Sequence, residues 1–250
     1  MLREALRDKA YYDEYVDFEE DCIQEDLEKL SSTVDSRIVV QMKVAFGLVN
    51  LFMGLMHVRY ARGDDLSLFK AHLKKVLHCR EQQKYFADAL PPEEQKDRIG
   101  WEEIREDYMR NIFLKWLSFA YCLNMGQTYY QEVLDLIGNQ GRDALFDNIA
   151  VKLGDTEREV AESVLFKRRF NKLYKVIEAE PAQRPQLMLA YLEAWYKLEG
   201  SPELHLMDTD TYKGYWCWEA ALVTKLYEID DSLYIDHQYY PKDLVHWSEQ

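Results

Sequence analysis

The chain has 250 residues, 48% of them hydrophobic and 14% aromatic, enough to bury one large core or two of ordinary size and too apolar for a disordered protein. Its formal net charge of −14 argues against a partner held by its phosphates, whether nucleic acid or anionic lipid. Only 10 Gly and 6 Pro interrupt a sequence rich in Leu, Glu, Lys, Ala and Tyr, which predicts an all-α fold.

In chain order, Tyr11, Tyr15, Phe18 and Cys22, continued by Ile23, Leu27 and Leu30, give residues 2–30 the period of one long helix with those side chains inward. Its other side carries Glu14, Asp17, Asp21, Glu25 and Glu28, with no Lys or Arg between Lys9 and Lys29 to offset them. Like charges at three- and four-residue steps cost a few tenths of a kcal/mol per pair, so this stripe is locally unfavourable and compatible with a cationic partner. Thr33 or Asp35 can cap a second helix, which carries the apolar run 38–58 to Gly63. Gln41, Lys43, Asn50 and His57 interrupt that run, so it reads as a central buried helix rather than a membrane span. Asp64 or Asp65 caps a third helix, with Leu66, Phe69, Leu73, Val76 and Leu77 inward and Lys70, Lys74, Lys75 and Arg80 toward water, ending at Pro91 and Pro92.

A fourth helix is expected over 101–123, and the break at Asn124, Met125, Gly126 divides the chain into domains 1–125 and 126–250. Shorter helices follow, over about 128–137, 143–153, 159–179, 185–199 and 215–227. No segment alternates as a strand, so the expected architecture is two parts built from antiparallel helices, long in the first half and shorter in the second.

The N-terminus alternates apolar and charged residues instead of presenting a secretory block, and Cys22, Cys79, Cys122 and Cys217 lie far apart within apolar helical patterns. Both features fit reduced core cysteines in a cytoplasmic protein. The negative charge sits at the two ends: residues 1–30 hold 11 acidic against 4 basic residues and residues 201–250 hold 10 against 3. Solvated helix faces and a surface for a basic partner are both compatible with that distribution.

The usual catalytic signatures are missing. There is no glycine-rich nucleotide loop, no H-E-x-x-H, no G-x-S-x-G, and no Arg followed closely by His as helical RNases of the HEPN type require. Acid pairs such as Asp208 with Asp210 and Asp230 with Asp231 lack a third ligand at fixed spacing, so no metal or other cofactor is expected. The one basic cluster, Lys167, Arg168, Arg169, Lys172 and Lys175, reads as a solvated face or an internal dock for an acidic segment.

The closing stretch is the most distinctive. Gly214, Tyr215, Trp216, Glu219, Ala220 and Ala221 open a helix; Ile229, Asp230, Asp231 and Ser232 follow; Asp236, His237, Tyr239, Tyr240, Pro241, Asp243 and Leu244 close the segment. This GYWxxE...IDDS...YYPxDL order resembles the end of PoNi proteins, the immunity proteins paired with PoNe-type polymorphic DNase toxins. Tyr191, Trp195 and Tyr196 fit the same family. The resemblance implies a non-enzymatic, all-α immunity protein that binds a cognate toxin similar to PD-(D/E)xK nucleases and blocks it, in bacterial competition through contact-dependent secretion. A DNA-gripping nuclease is basic, so Glu14, Asp17, Asp21, Glu25, Glu28, Asp208, Asp210 and Asp236 are the expected partner-binding residues. Tyr215, Trp216, Glu219, Asp230, Asp231, Tyr239, Tyr240 and Pro241 are expected to be structural, with Glu219 a buried acceptor for Tyr or Trp donors and Asp230 and Asp231 a turn and helix-cap pair. The alternative is an acidic helical scaffold or adaptor with no toxin partner; a homodimer stays open.

Overall fold

The computed structural model describes residues 2–31, 37–100, 104–207 and 211–249, and among them it contains eleven α-helices and no strand. Thr33, Asp35 and Trp101 lie outside the described residues. The chain forms two compact units, Met1–Trp101 with Leu204–Gly214, and Glu102–Glu203 with Tyr215–Gln250. The break at Asn124–Gly126, where the sequence suggests a domain divide, is instead a turn inside the second unit. Asn124 (φ 53°) and Gly126 (φ 94°) reverse the chain there between two helices that pack together.

The first unit holds the long helices α1 (Lys9–Ser31), α2 (Ile38–Arg62) and α3 (Phe69–Asp88), with α2 packed against both others. By length and composition α2 could cross a membrane, and half of its most apolar window is buried. Met42, Ala45, Leu48, Val49, Phe52, Met56 and Val58 are all within 1% of complete burial. Each such Leu, Val, Met or Phe stabilises the fold by about 1.5–3 kcal/mol. Gly63 ends the helix at φ 90°, where its N–H and that of Asp64 reach the carbonyls of Tyr60 and Arg59. Asp65 caps the next turn by accepting from the Ser67 N–H.

Three features of this unit depart from helical periodicity. Helix α1 begins at Lys9 rather than Leu2, because the Asp8 carboxylate accepts from the Tyr11 N–H as an N-cap. The residues before it lie on the end of α2, with the Arg3 and Glu4 N–H groups on the Ala61 carbonyl and the Arg3 guanidinium on the Tyr60 and Asp64 carbonyls. They thereby satisfy acceptors that a helix C-terminus leaves open. Second, Tyr12, Tyr15, Val16, Glu19 and Ile23 form the buried face of α1, while Phe18 points outward and is 65% exposed. Third, Arg80 is buried and donates to the Gln83 side chain, whose amide in turn reaches the Ile99 carbonyl.

The second unit holds α4 (Glu106–Tyr108), which runs through a π-helical turn (Met109–Phe113) into α5 (Leu114–Cys122). After it come α6 (Gln127–Ile137), α7 (Ala144–Lys152), α8 (Lys167–Glu178), α9 (Arg184–Leu198), α10 (Trp218–Leu226) and α11 (Lys242–Val245). Helix α8 begins eight residues later than periodicity predicts, and two buried carboxylates explain the delay. Asp143 caps α7 through the Phe146 N–H and also accepts from the Leu165 N–H; Asp147 accepts from the Ala161 N–H. Backbone donors held this way are not available to a helix. Arg158 completes the loop: its guanidinium donates to Asp147 (2.7 Å), to Asp155 (3.3 Å) and to the Gly138 carbonyl (2.7 Å) and lies over the Phe146 ring.

Both side chains of the Arg158–Asp147 pair are fully buried, so removing one strands the other's charge. Arg158→Ala is expected to cost about 3–5 kcal/mol, read as a lower urea midpoint for the second unit; a loss below about 1 kcal/mol contradicts this account.

Candidate functional site

The partner-binding residues expected from the sequence fall into distinct settings. Glu14, Asp17, Asp21, Glu25 and Glu28 are all exposed on α1. Asp208 and Asp210 lie outside the described residues. Asp236 is exposed but already accepts from the Lys242 ammonium at 2.6 Å.

The acids of α1 divide by face. Three have cationic partners from other segments: Asp13 meets Arg62 at 3.2 Å, the buried Glu19 accepts from Lys213 at 2.5 Å, and Glu20 pairs with Arg59. Gly54 of α2 makes room for the Glu19–Lys213 pair, since a Cβ there would lie 2.5 Å from the ammonium. Glu14, Asp17 and Asp21 have no hydrogen bond or ion pair among the described residues. Glu25 lies 3.8 Å from Lys29, and Glu28 accepts from Gln24. Phe18 stands exposed within this outer stripe, and a groove of about 180 Å³ lined by Tyr11, Glu14, Tyr15 and Phe18 opens beside it.

The closing stretch has a different character. Glu219 is buried at the start of α10, and one carboxylate oxygen accepts from the Tyr191 hydroxyl (2.7 Å) and the Trp195 indole N–H (2.9 Å), both on α9. The Tyr239 ring stacks on Tyr196 at 5.4 Å and also packs on Trp195, while Tyr215 meets Tyr196 edge-on. The Cys217 N–H donates to the Tyr239 carbonyl, and the Ser118 hydroxyl donates to the Trp218 carbonyl; Trp216 and Trp218 are both buried. Asp230 makes a turn by accepting from the Ser232 N–H. Asp231 caps no helix: its carboxylate accepts from the Tyr240 hydroxyl and is hydrogen-bonded to His246, both at 2.8 Å. Pro241 is buried and its carbonyl accepts from Leu244 in the first turn of α11. The aromatic run is split between units, because Tyr212 belongs to the first and Tyr215 to the second. Gly214, at φ 102°, turns the chain at that point.

Next to this clasp lies an ionic network that sequence spacing does not reveal. Glu199 accepts from Arg110 (2.7 Å), which leaves the helix from the π turn, and from Arg169, which also donates to Glu106 (2.9 Å). Arg169 is therefore an internal residue of the basic cluster, whereas Lys167, Arg168, Lys172 and Lys175 are exposed. Burial, and then the charge of Glu219, push the Glu199 carboxyl above its ordinary value against the opposing pull of the two arginines. Among the described residues no group of three His, Cys, Asp or Glu side chains could hold a metal ion. The four cysteines are free, and burial raises the thiol of Cys79 to about 11 and that of Cys122 to about 12.

Glu219→Ala leaves two buried donors unpaired at about 1–3 kcal/mol each, while Glu219→Gln keeps an acceptor oxygen and should lose less than half as much in a urea melt. Equal losses contradict the acceptor role. For Glu199, a raised folded-state pKa means the folded chain holds the proton more tightly. Its contribution to stability is full below the ordinary value of 4.5 and is lost as pH rises through the folded value. Glu199→Gln should therefore gain stability relative to the parent as pH rises above the ordinary value of 4.5, and a pH-independent difference contradicts this.

Comparison with known proteins adds two findings. The chain is similar in fold to the crystal structure of protein PA2201 from Pseudomonas aeruginosa, with a TM-score of 0.76 and 18% identity over 98% of this chain and 89% of that one. No curated protein matches it in sequence. The family model described as PoNe immunity proteins (PoNi), C-terminal, matches residues 141–244, which take in α7 to α11, the Glu219 clasp and the Asp143, Asp147, Arg158 loop. Residues 141–244 are thus similar to the C-terminal part of PoNe immunity proteins.

Proposed function

We propose that this protein binds a cognate PoNe-like DNase toxin of the PD-(D/E)xK type directly, and neutralises it in the cytoplasm of the cell that makes both. The match of residues 141–244 to the PoNe immunity protein family supports the immunity role. The unpaired carboxylates Glu14, Asp17 and Asp21 support the contact, because a nuclease that grips DNA phosphates presents a basic face. Charge complementarity with such a face speeds encounter and rejects wrong partners. Four free cysteines suit a reducing compartment. The clasp around Glu219 is satisfied internally and is best read as the scaffold that holds the second unit together, not as the contact.

The reading is tested by co-expressing the toxin gene with this chain in a sensitive host. Intact chromosomal DNA and normal growth are expected, and continued DNA degradation overturns the immunity role. Reversing Glu14, Asp17 and Asp21 to Lys should slow association by about tenfold or more at low ionic strength, with the difference shrinking as salt rises. An unchanged on-rate removes the α1 stripe from the contact.

A further inference from the structure

We propose that the groove lined by Tyr11, Glu14, Tyr15 and Phe18 is the anchor point of the toxin contact and receives an arginine side chain from the toxin. This assignment rests on the immunity reading above and specifies where and how the contact is made.

A singly exposed Phe is ordinary on a soluble protein. Phe18 differs in its setting. It stands 65% exposed between Asp17 and Asp21, without a ring or cationic neighbour among the described residues, at the edge of a groove of about 180 Å³ whose other walls are two tyrosine rings and the Glu14 carboxylate, which has no ion pair among those residues. That volume suits one side chain rather than a helix. Its chemistry selects a cation: aromatic faces attract guanidinium and ammonium groups, and a carboxylate at the rim supplies the counter-charge. The molecule itself displays this preference, for Arg7 lies over the Tyr11 ring at 5.0 Å and Lys213 over the Tyr15 ring at 5.1 Å. Arginine fits better than lysine, because a planar guanidinium stacks on a ring while its N–H fork meets the carboxylate.

The groove is also fixed in place before any partner arrives. The Tyr11 hydroxyl donates to the Tyr212 carbonyl (2.9 Å) and accepts from the Tyr212 N–H (3.1 Å), and the Tyr11 and Tyr15 rings meet edge-on. Tyr15 is 9% exposed, so its ring is held by the core. Preformed aromatic walls lose little freedom on binding, and aromatic and arginine anchors surrounded by weaker contacts are where binding energy concentrates. A nuclease surface rich in arginine for DNA phosphate supplies the complementary residue, which would then be withdrawn from DNA.

The test is affinity and kinetics of the full chain for a catalytically inactive PoNe-like toxin domain. Phe18→Ala, at an exposed position, should leave the thermal unfolding curve unchanged and weaken binding by about tenfold or more, chiefly through faster dissociation. Phe18→Trp should bind about as well as the parent, because its ring offers the stronger cation surface. Phe18→Leu should be as weak as Phe18→Ala. Binding by Phe18→Ala within about twofold of the parent overturns the assignment while leaving the immunity reading intact. Full affinity in Phe18→Leu also overturns it, since an apolar side chain would then be the occupant. No binding by the unmodified chain sinks the immunity reading and this assignment together.

Discussion

The second unit depends on one buried carboxylate. Glu219 sits buried at the start of α10, and it is tolerable there because Tyr191 and Trp195 on α9 both donate to the same oxygen. A charged acceptor strengthens each of those bonds and leaves neither donor free to turn elsewhere. That fixes α10 against α9, and the rest of the closing stretch follows. Tyr239 can then lie on Trp195 and Tyr196, its carbonyl can take the Cys217 N–H, and Asp231 can hold Tyr240 and His246. Glu219, Asp231 and most of the aromatic side chains of this segment are thus turned inward.

The first unit handles its charge in the opposite way. Cations from α2 and from the 204–214 segment pair with Asp13, Glu19 and Glu20 of α1, while Glu14, Asp17 and Asp21 have no ion pair among the described residues. Repulsion along the outer face is a standing local cost that the fold itself does not relieve. In the proposed function a basic partner relieves it, so that on that reading structural chemistry and binding chemistry are carried by different segments of the chain.

Much of this was legible in the sequence where a local rule decides the outcome. Gly63 ends α2 and Asp65 starts the next turn. Periodicity failed where a distant side chain overrode it. The start of α8 moved because Asp143 and Asp147 hold backbone donors far along the chain. Phe18 looks like a core residue by spacing, yet Glu19 takes the inward position because Lys213 is there to meet it. Arg80 and Arg169 look like surface cations and are buried with polar partners that no spacing predicts. The groove beside Phe18 was invisible for the same reason: it exists only because the face of α1 is rotated from where apolar spacing puts it.

The central claim is that this chain inhibits by occupying the toxin. Titrating purified chain into a PoNe toxin domain at a concentration well above the dissociation constant, with cleavage of duplex DNA as the readout, tests it most directly. The account predicts that nuclease activity falls linearly to zero at one equivalent of chain. Undiminished cleavage at a several-fold excess would contradict it.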